Sequence, residues 1–192
     1  EWTWGEFREI AAELSSGSGQ DKVYGVMYPT WAQLLMIGAM SELGPNGFLT
    51  ADMSEANFDN PLFSEFARLR YEMQYEDESE MRYVDIRSQN LSDASEFLGG
   101  RTAMLYTGTW RTRSVKDLES FPHDFTVAFA PLPTNPGQEI SYNEGSPGDF
   151  AMIAGDTDAP EAAWTFVRYF TSEGIDPMVS QGGKIPAWTG YP

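Results

Sequence analysis

Residues 97–110 read FLGGRTAMLYTGTW, and the fold class turns on them. Ser92 to Leu98 can close a short helix, and Gly99 and Gly100 suit the left-handed backbone that stops one. Thr102 to Tyr106 is an apolar run of strand length. Gly108 breaks the run, and Trp110 follows at the strand's carboxyl exit, the end at which α/β proteins bind ligands. Helix, glycine turn and buried strand in succession make an α/β unit. The indole of Trp110 reads in two ways: as a flat platform for a sugar ring or another apolar face, or as part of the core.

The rest of the chain supports a packed protein. It has 192 residues, room for one domain or two small ones, and 41% of them are apolar, enough for a core. Its 29 acidic and 12 basic residues give a formal net charge of −17, which makes nucleic acid and anionic membrane surfaces poor partners. With no cysteine and one histidine, disulfides, a cysteine nucleophile and the usual zinc sites are excluded. No apolar stretch reaches the roughly 18 residues of a transmembrane helix, so this segment does not insert in a membrane directly.

From the amino terminus, Thr3-Trp4-Gly5-Glu6 has the spacing of a capping box, and Phe7, Ile10, Ala11 and Leu14 line one face of the helix it starts. Val23 to Met27 is β-prone. A helix is expected from about Thr30 to Leu43, entered by Tyr28-Pro29-Thr30-Trp31 and ended by Gly44-Pro45-Asn46-Gly47. Leu49 to Phe58 reads as an irregular surface excursion. Asn60-Pro61 starts the next helix, with Leu62, Phe66, Leu69 and Met73 as its buried stripe. Arg82 to Gln89 reads as a connector with an extended piece at Tyr83 to Ile86.

Beyond Trp110, Thr112 to Ser120 forms a short helix with Arg111 and Arg113 at its start. Their guanidinium groups can hold a carboxylate or sugar hydroxyls, or pair with surface acids. Phe125 to Ala130 is expected as a strand buried on both faces. Thr134 to Gly148 is a polar link rich in glycine and proline, with Tyr142 inside it. Asp149 to Ala154 reads as a strand. Asp158 and Glu161 form a second capping-box pattern, before a helix whose apolar face is Ala163, Phe166, Val167 and Phe170.

Three of these stretches resemble one family, the family 1 extracellular solute-binding proteins, which are the sugar-binding components of bacterial ABC importers. Phe97, Gly100, Ala103, Met104, Gly108 and Trp110 fit its Phe-x-x-Gly-x-x-Ala-Met, strand, Gly-x-Trp pattern. Thr3-Trp4-Gly5-Glu6-Phe7 is similar to its Thr-Trp-x-Glu-Phe helix. The run Ala159-Pro160-Glu161-Ala162-Ala163-Trp164, with Gly182, Gly183, Ile185 and Pro186 after it, resembles a helix and Gly-Gly-x-Ile-Pro segment of the same family.

The resemblance implies an α/β, periplasmic-binding-protein-like (type II) lobe, helix-rich with a short mixed sheet and truncated at both ends. It implies a ligand-binding domain of the carboxyl-terminal-lobe type over 1–133, a hinge-crossing link over 134–148, and a strand-helix segment over 149–192 that belongs largely to the other lobe. It implies an extracellular protein, lipid-anchored on a Gram-positive surface or periplasmic. A carbohydrate would be bound between lobes by aromatic stacking and hydroxyl hydrogen bonds, with a membrane permease as partner and no cofactor. Trp110 is the expected stacking residue, Tyr28 and Trp31 come next, and Tyr142, Ser146 and Asp149 complete the candidate set. Trp2, Trp4 and Trp164 read as structural.

An enzyme has little to build on. His123 lies in a proline turn and the sequence gives no sign of a catalytic serine for it to serve, and Gly145-Ser146-Pro147-Gly148 is one residue short of a nucleophile elbow. No phosphate-binding or dinucleotide glycine loop is present. A glycosidase needs only two carboxylates, so a carboxylate pair among the many acids stays open as an alternative. So does a binding protein for a solute other than sugar.

Overall fold

The structure, a computed structural model, describes residues 2–31, 36–44, 46–138, 142, 150–184, 186 and 189–190. The chain divides into two compact units: Glu1–Thr107 with Pro122–Gly145, and Gly108–Phe121 with Ser146–Pro192.

The first unit is built on α1 (Trp4–Leu14), β1 (Tyr24–Met27), α2 (Ile37–Leu43), α3 (Pro61–Tyr75), α4 (Tyr83–Gln89), α5 (Asp93–Leu98) and β2 (Thr102–Leu105). The capping box at its start is formed: Thr3 Oγ1 accepts from the Glu6 amide, and the Thr3 amide donates to Glu6 Oε2 at 2.7 Å. Asn60 caps α3 with Pro61 at its first position, and Ser92 caps α5. Of the glycine pair that stops α5, Gly100 carries the left-handed φ of 76°.

β1 and β2 pair in parallel, with Val26 opposite Met104. Isolated bridges of both senses extend the ladder, Val26 to Glu80 in parallel and Ser16 to Val23 in antiparallel. At Gly25 an added Cβ would lie 1.9 Å from the Ala11 carbonyl oxygen, so only glycine lets β1 sit this close to α1. Trp4, Phe7, Ala11, Val26, Tyr28, Ile37, Phe66 and Met73 form the main core. Trp4 meets Phe7 and Phe66 edge to face at 5.5 and 5.0 Å.

Several expectations are corrected. Tyr83 to Ile86 is the first turn of α4 rather than an extended piece. Ile86 is buried in a cluster with Met27 and Met81, and the Arg82 carbonyl accepts from the amides of Asp85 and Ile86. The buried face of α3 is Phe63, Phe66, Arg70, Met73 and Gln74, a stripe rotated from the expected one. Phe125 to Ala130 joins no ladder among the described residues, and neither does Phe150 to Ala154; a β-prone run without a neighbouring strand has no partner for its amides and carbonyls. Asp149 lies outside the described residues, as do 32–35 of the helix expected from Thr30, of which Ile37–Leu43 is described as helix.

The second unit holds a 3-10 turn at Thr109–Arg111, α6 (Thr112–Lys116), α7 (Pro160–Phe170), a 3-10 turn at Glu173–Ile175 and α8 (Asp176–Ser180). α6 stops at Lys116, earlier than expected, and the chain turns on Asp117, whose carboxylate accepts from the Ser120 amide at 3.0 Å. Ala159 precedes α7 with no side-chain cap, so the second capping-box pattern is not formed; Pro160 at the first position starts the helix instead.

Candidate functional site

The chain leaves β2 through Thr107 and Gly108 and winds directly into the turn that carries Trp110. The Arg111 amide donates to the Gly108 carbonyl at 3.1 Å, and Thr112 Oγ1 donates to the Thr109 carbonyl at 2.7 Å. This tight winding folds the indole back over the backbone. A Cβ on Gly108 would lie 1.9 Å from Trp110 Cζ3, so the glycine of the Gly-x-Trp motif is the floor on which the ring rests. Trp110 is 42% exposed.

Trp110 lines a cavity of about 470 Å³ within the second unit. Arg111, Arg113, Asp117, Phe121 and Lys184 stand in the same wall. Two contacts bring these distant stretches together: the Thr112 hydroxyl bonds the Gly182 carbonyl, and Lys116 Nζ donates to the Ser180 carbonyl at 3.3 Å. Gly182 has a φ of 76°, and a Cβ there would lie 2.7 Å from Thr112 Oγ1, so this turn also depends on glycine. The Asp117 carboxyl is held below its ordinary range chiefly by the backbone amide of Ser120, with Arg113 adding a smaller pull. An aromatic face, charged donors and an acceptor around one cavity can hold a small polar molecule with an apolar side. Sequence reasoning missed Lys184 and Phe121. The available signal for Lys184 was a cation directly after the paired glycines Gly182 and Gly183.

The other candidates belong to the first unit or lie outside the described residues. Tyr28 is 2% exposed. Its ring stacks on Tyr106 at 5.4 Å and lies 3.7 Å from the Arg70 guanidinium carbon. Arg70 pairs with Glu80, Nε to Oε2 at 2.6 Å, and Gln74 Nε2 donates to Glu80 Oε1 at 2.8 Å. Burial works against the Arg70 charge, but Glu80 beside it overrides that and raises its pKa. Burial likewise pushes the Tyr28 hydroxyl far up. Tyr28 therefore offers no open ring face; it covers a buried ion pair.

Trp31 is 40% exposed and Tyr142 46%. The Tyr142 amide donates to the Ser41 carbonyl at 2.7 Å, Gln138 Nε2 donates to the same carbonyl at 2.6 Å, and Asn135 Nδ2 donates to Gly38 at 3.2 Å. The link thus bonds the Ser41 carbonyl in the last turn of α2 and the Gly38 carbonyl in its first. Ser146 and Asp149 lie outside the described residues. Of the tryptophans expected to be structural, Trp4 is buried and Trp2 Nε1 donates to the Pro131 carbonyl at 2.8 Å, whereas Trp164 is exposed.

Among the described residues no group of three His, Cys, Asp or Glu is placed to hold a metal ion, and no helix is long and apolar enough to cross a membrane.

Comparison with known proteins gives a consistent answer. No curated protein matches the chain. An ABC substrate-binding protein from Listeria monocytogenes, solved in complex with cycloalternan, superposes with a TM-score of 0.73 at 18% identity; the match covers 99% of this chain and 46% of that one. A maltose/maltodextrin-binding domain from Bdellovibrio bacteriovorus bound to maltotriose gives 0.61 at 17%, covering 95% and 47%. A sugar transporter from Rhizobium etli in an open conformation gives 0.58 at 19%, covering 94% and 44%. At these identities the likeness is one of fold, a helix-rich periplasmic-binding-protein-like α/β architecture with a small sheet. The chain spans just under half the length of each of these structures. The sequence profile of the bacterial extracellular solute-binding proteins matches residues 1–176, and the chain belongs to that family, one of binding proteins rather than enzymes.

Proposed function

We propose that the chain is part of the sugar-binding component of an ABC importer, and that the cavity of the second unit is a sugar subsite with Trp110 as its stacking surface. The observation that carries this reading is the indole of Trp110, folded onto Gly108 and half exposed in a cavity lined by hydrogen-bonding side chains. Sugar rings present apolar C–H faces to an indole and hydroxyls to the polar rim. Two of the matched structures carry oligosaccharides, cycloalternan and maltotriose. Trp31 and Tyr142, two of the exposed aromatics of the first unit, are proposed as further ligand contacts, with Ser146 of the link and Asp149 just after it as polar contributors and Tyr28 in a structural role in the core of its own unit. The link over 134–148 acts as the hinge crossing between lobes. The protein works outside the cytoplasm, lipid-anchored or periplasmic, and hands its ligand to a membrane permease.

A thermal-shift screen with mono- and oligosaccharides, and amino acids and peptides as controls, tests this. A ligand that binds only the folded state at 100 times its Kd adds about 2.7 kcal/mol, which lifts Tm by several degrees. A rise with one sugar class is the expected result. A rise with amino acids or peptides alone would make the protein a binder of another solute.

A further inference from the structure

The cavity beside Trp110 has two walls that come from distant parts of the sequence. One runs from Trp110 to Phe121; the other is α8 with the turn after it, from Met178 to Lys184. The second wall is shaped by its own glycines. The Gly182 amide donates to the Val179 carbonyl at 2.7 Å and the Gly183 amide to the Met178 carbonyl at 3.0 Å, with Gly182 left-handed, which is the Schellman ending of a helix. That motif uses the carbonyls of Met178 and Val179. Two further carbonyls of this stretch, of Ser180 and Gly182, are taken by α6.

Thr112 and Lys116 are four residues apart, so they share one face of α6. The Lys116 ammonium donates to the Ser180 carbonyl at 3.3 Å, and the Thr112 hydroxyl bonds the Gly182 carbonyl. The same hydroxyl lies 2.7 Å from the Thr109 carbonyl, inside the turn that carries Trp110. A hydroxyl has one proton, so Thr112 shares it between a carbonyl of the Trp110 turn and a carbonyl of the opposite wall. A Cβ at Gly182 would meet Thr112 Oγ1 at 2.7 Å, so the contact needs glycine there. Neither Thr112 nor Lys116 is among the described residues that line the cavity.

Resting on the reading of this cavity as a sugar subsite, we infer that Thr112 and Lys116 are its positioning residues. They clasp the glycine turn to α6 and so set the spacing between the Trp110 face and the opposite wall, without touching the ligand. The Schellman ending fixes only the local path of its own backbone; the clasp fixes where that path stands relative to the indole. A sugar ring of fixed shape rewards walls that are already at the right spacing.

Two readouts test this, and the first needs no ligand. In a nitrogen–proton correlation spectrum the indole signal of Trp110, one of six tryptophans, is identified by its loss in Trp110→Phe. Thr112→Val keeps the side-chain shape and removes the hydroxyl; Lys116→Met keeps the length and removes the ammonium. Each is expected to displace the Trp110 signal and leave those of Trp2 and Trp4, in the other unit, in place. Thr112→Ser restores the donor and is expected to return the signal. Lys116 is exposed, so Lys116→Met carries the test if Thr112→Val does not fold. The second readout is calorimetric titration with maltotriose, cellotriose, xylotriose and galactose. Both variants are expected to weaken the binding of the sugar that wild type takes by about threefold to tenfold, with Thr112→Ser close to wild type. A lowered Tm with the Trp110 signal and the affinity unchanged would make the clasp a matter of stability alone and overturn the inference. If wild type binds none of the four sugars while both variants displace the Trp110 signal, the sugar reading falls and the clasp still positions the indole.

Discussion

Trp110 and Gly108 act as one device at the level of single residues. The ring can lie where it does because position 108 has no side chain. Trp110→Ala is expected to weaken sugar binding by about 1–3 kcal/mol with little change in Tm, since the indole is already partly in solvent. Gly108→Ala is the sharper experiment. The atoms nearest its methyl group belong to the six-membered ring of the Trp110 indole, so the ring must turn aside to admit it. Titration should show lost affinity, and tryptophan fluorescence a shifted maximum, with Tm within a few degrees of wild type. A large drop in Tm would instead make the indole part of the packing. The motif was legible in the sequence because its parts are two residues apart. Lys184 was not, because the bond that brings its loop to α6 joins Thr112 to Gly182, 70 residues on.

Helices and strands divide along the same line of local against distant causes. The starts of α1, α3 and α5 could be read directly, since a cap is a hydrogen bond between neighbours in sequence. α4 was misread because Val84 and Ile86 alternate with polar residues as a strand does, and its packing on Met27 and Met81 was invisible. The stripe of α3 was misread because an apolar pattern passes over Arg70 and Gln74, which are buried around Glu80. That pair makes its own prediction. Glu80→Leu leaves the Arg70 charge buried without its partner and should cost about 3–5 kcal/mol in urea unfolding. Arg70→Met with Glu80→Leu removes both charges and should recover most of the loss; a double variant no better than the single would give the ion pair no such role. A second contact, between α1 and the end of α3, should set part of the acid response. Arg8 Nη2 donates to Asp77 Oδ1 at 2.9 Å, and this guanidinium holds the Asp77 carboxyl below its ordinary 3.8. A carboxyl lowered by folding stabilises above the unfolded value and loses that stabilisation as pH falls through the folded one. Tm of the wild type should therefore fall more steeply than that of Asp77→Asn below about pH 4. The gap at neutral pH should be about 1 kcal/mol, because both side chains are part exposed. Parallel curves would mean the pair adds nothing.

Across the whole chain, charge and apolar surface oppose each other. The net charge of −17 repels neighbouring molecules. α7 was expected to bury Phe166 and its neighbours, but none of its residues is buried, and Trp164, Phe166 and Tyr169 are exposed along with Phe150 and Met152 of the same unit. A helix with so clear an apolar face is written for a partner surface, and the sequence alone could show the face but not its cover. Apolar surface of this kind favours association. Salt separates the two forces. Raising NaCl shortens the screening length from about 10 Å at 0.1 M to about 3 Å at 1 M. This removes the repulsion and leaves the apolar attraction in place. Sedimentation velocity on the 192-residue chain should thus show monomer at low salt and concentration-dependent association near 1 M. Phe166→Asp should hold the protein monomeric throughout. Association that instead weakens with salt would mean charged contacts drive it, and a monomer at every salt concentration would mean the α7 face is not available to a second molecule in solution.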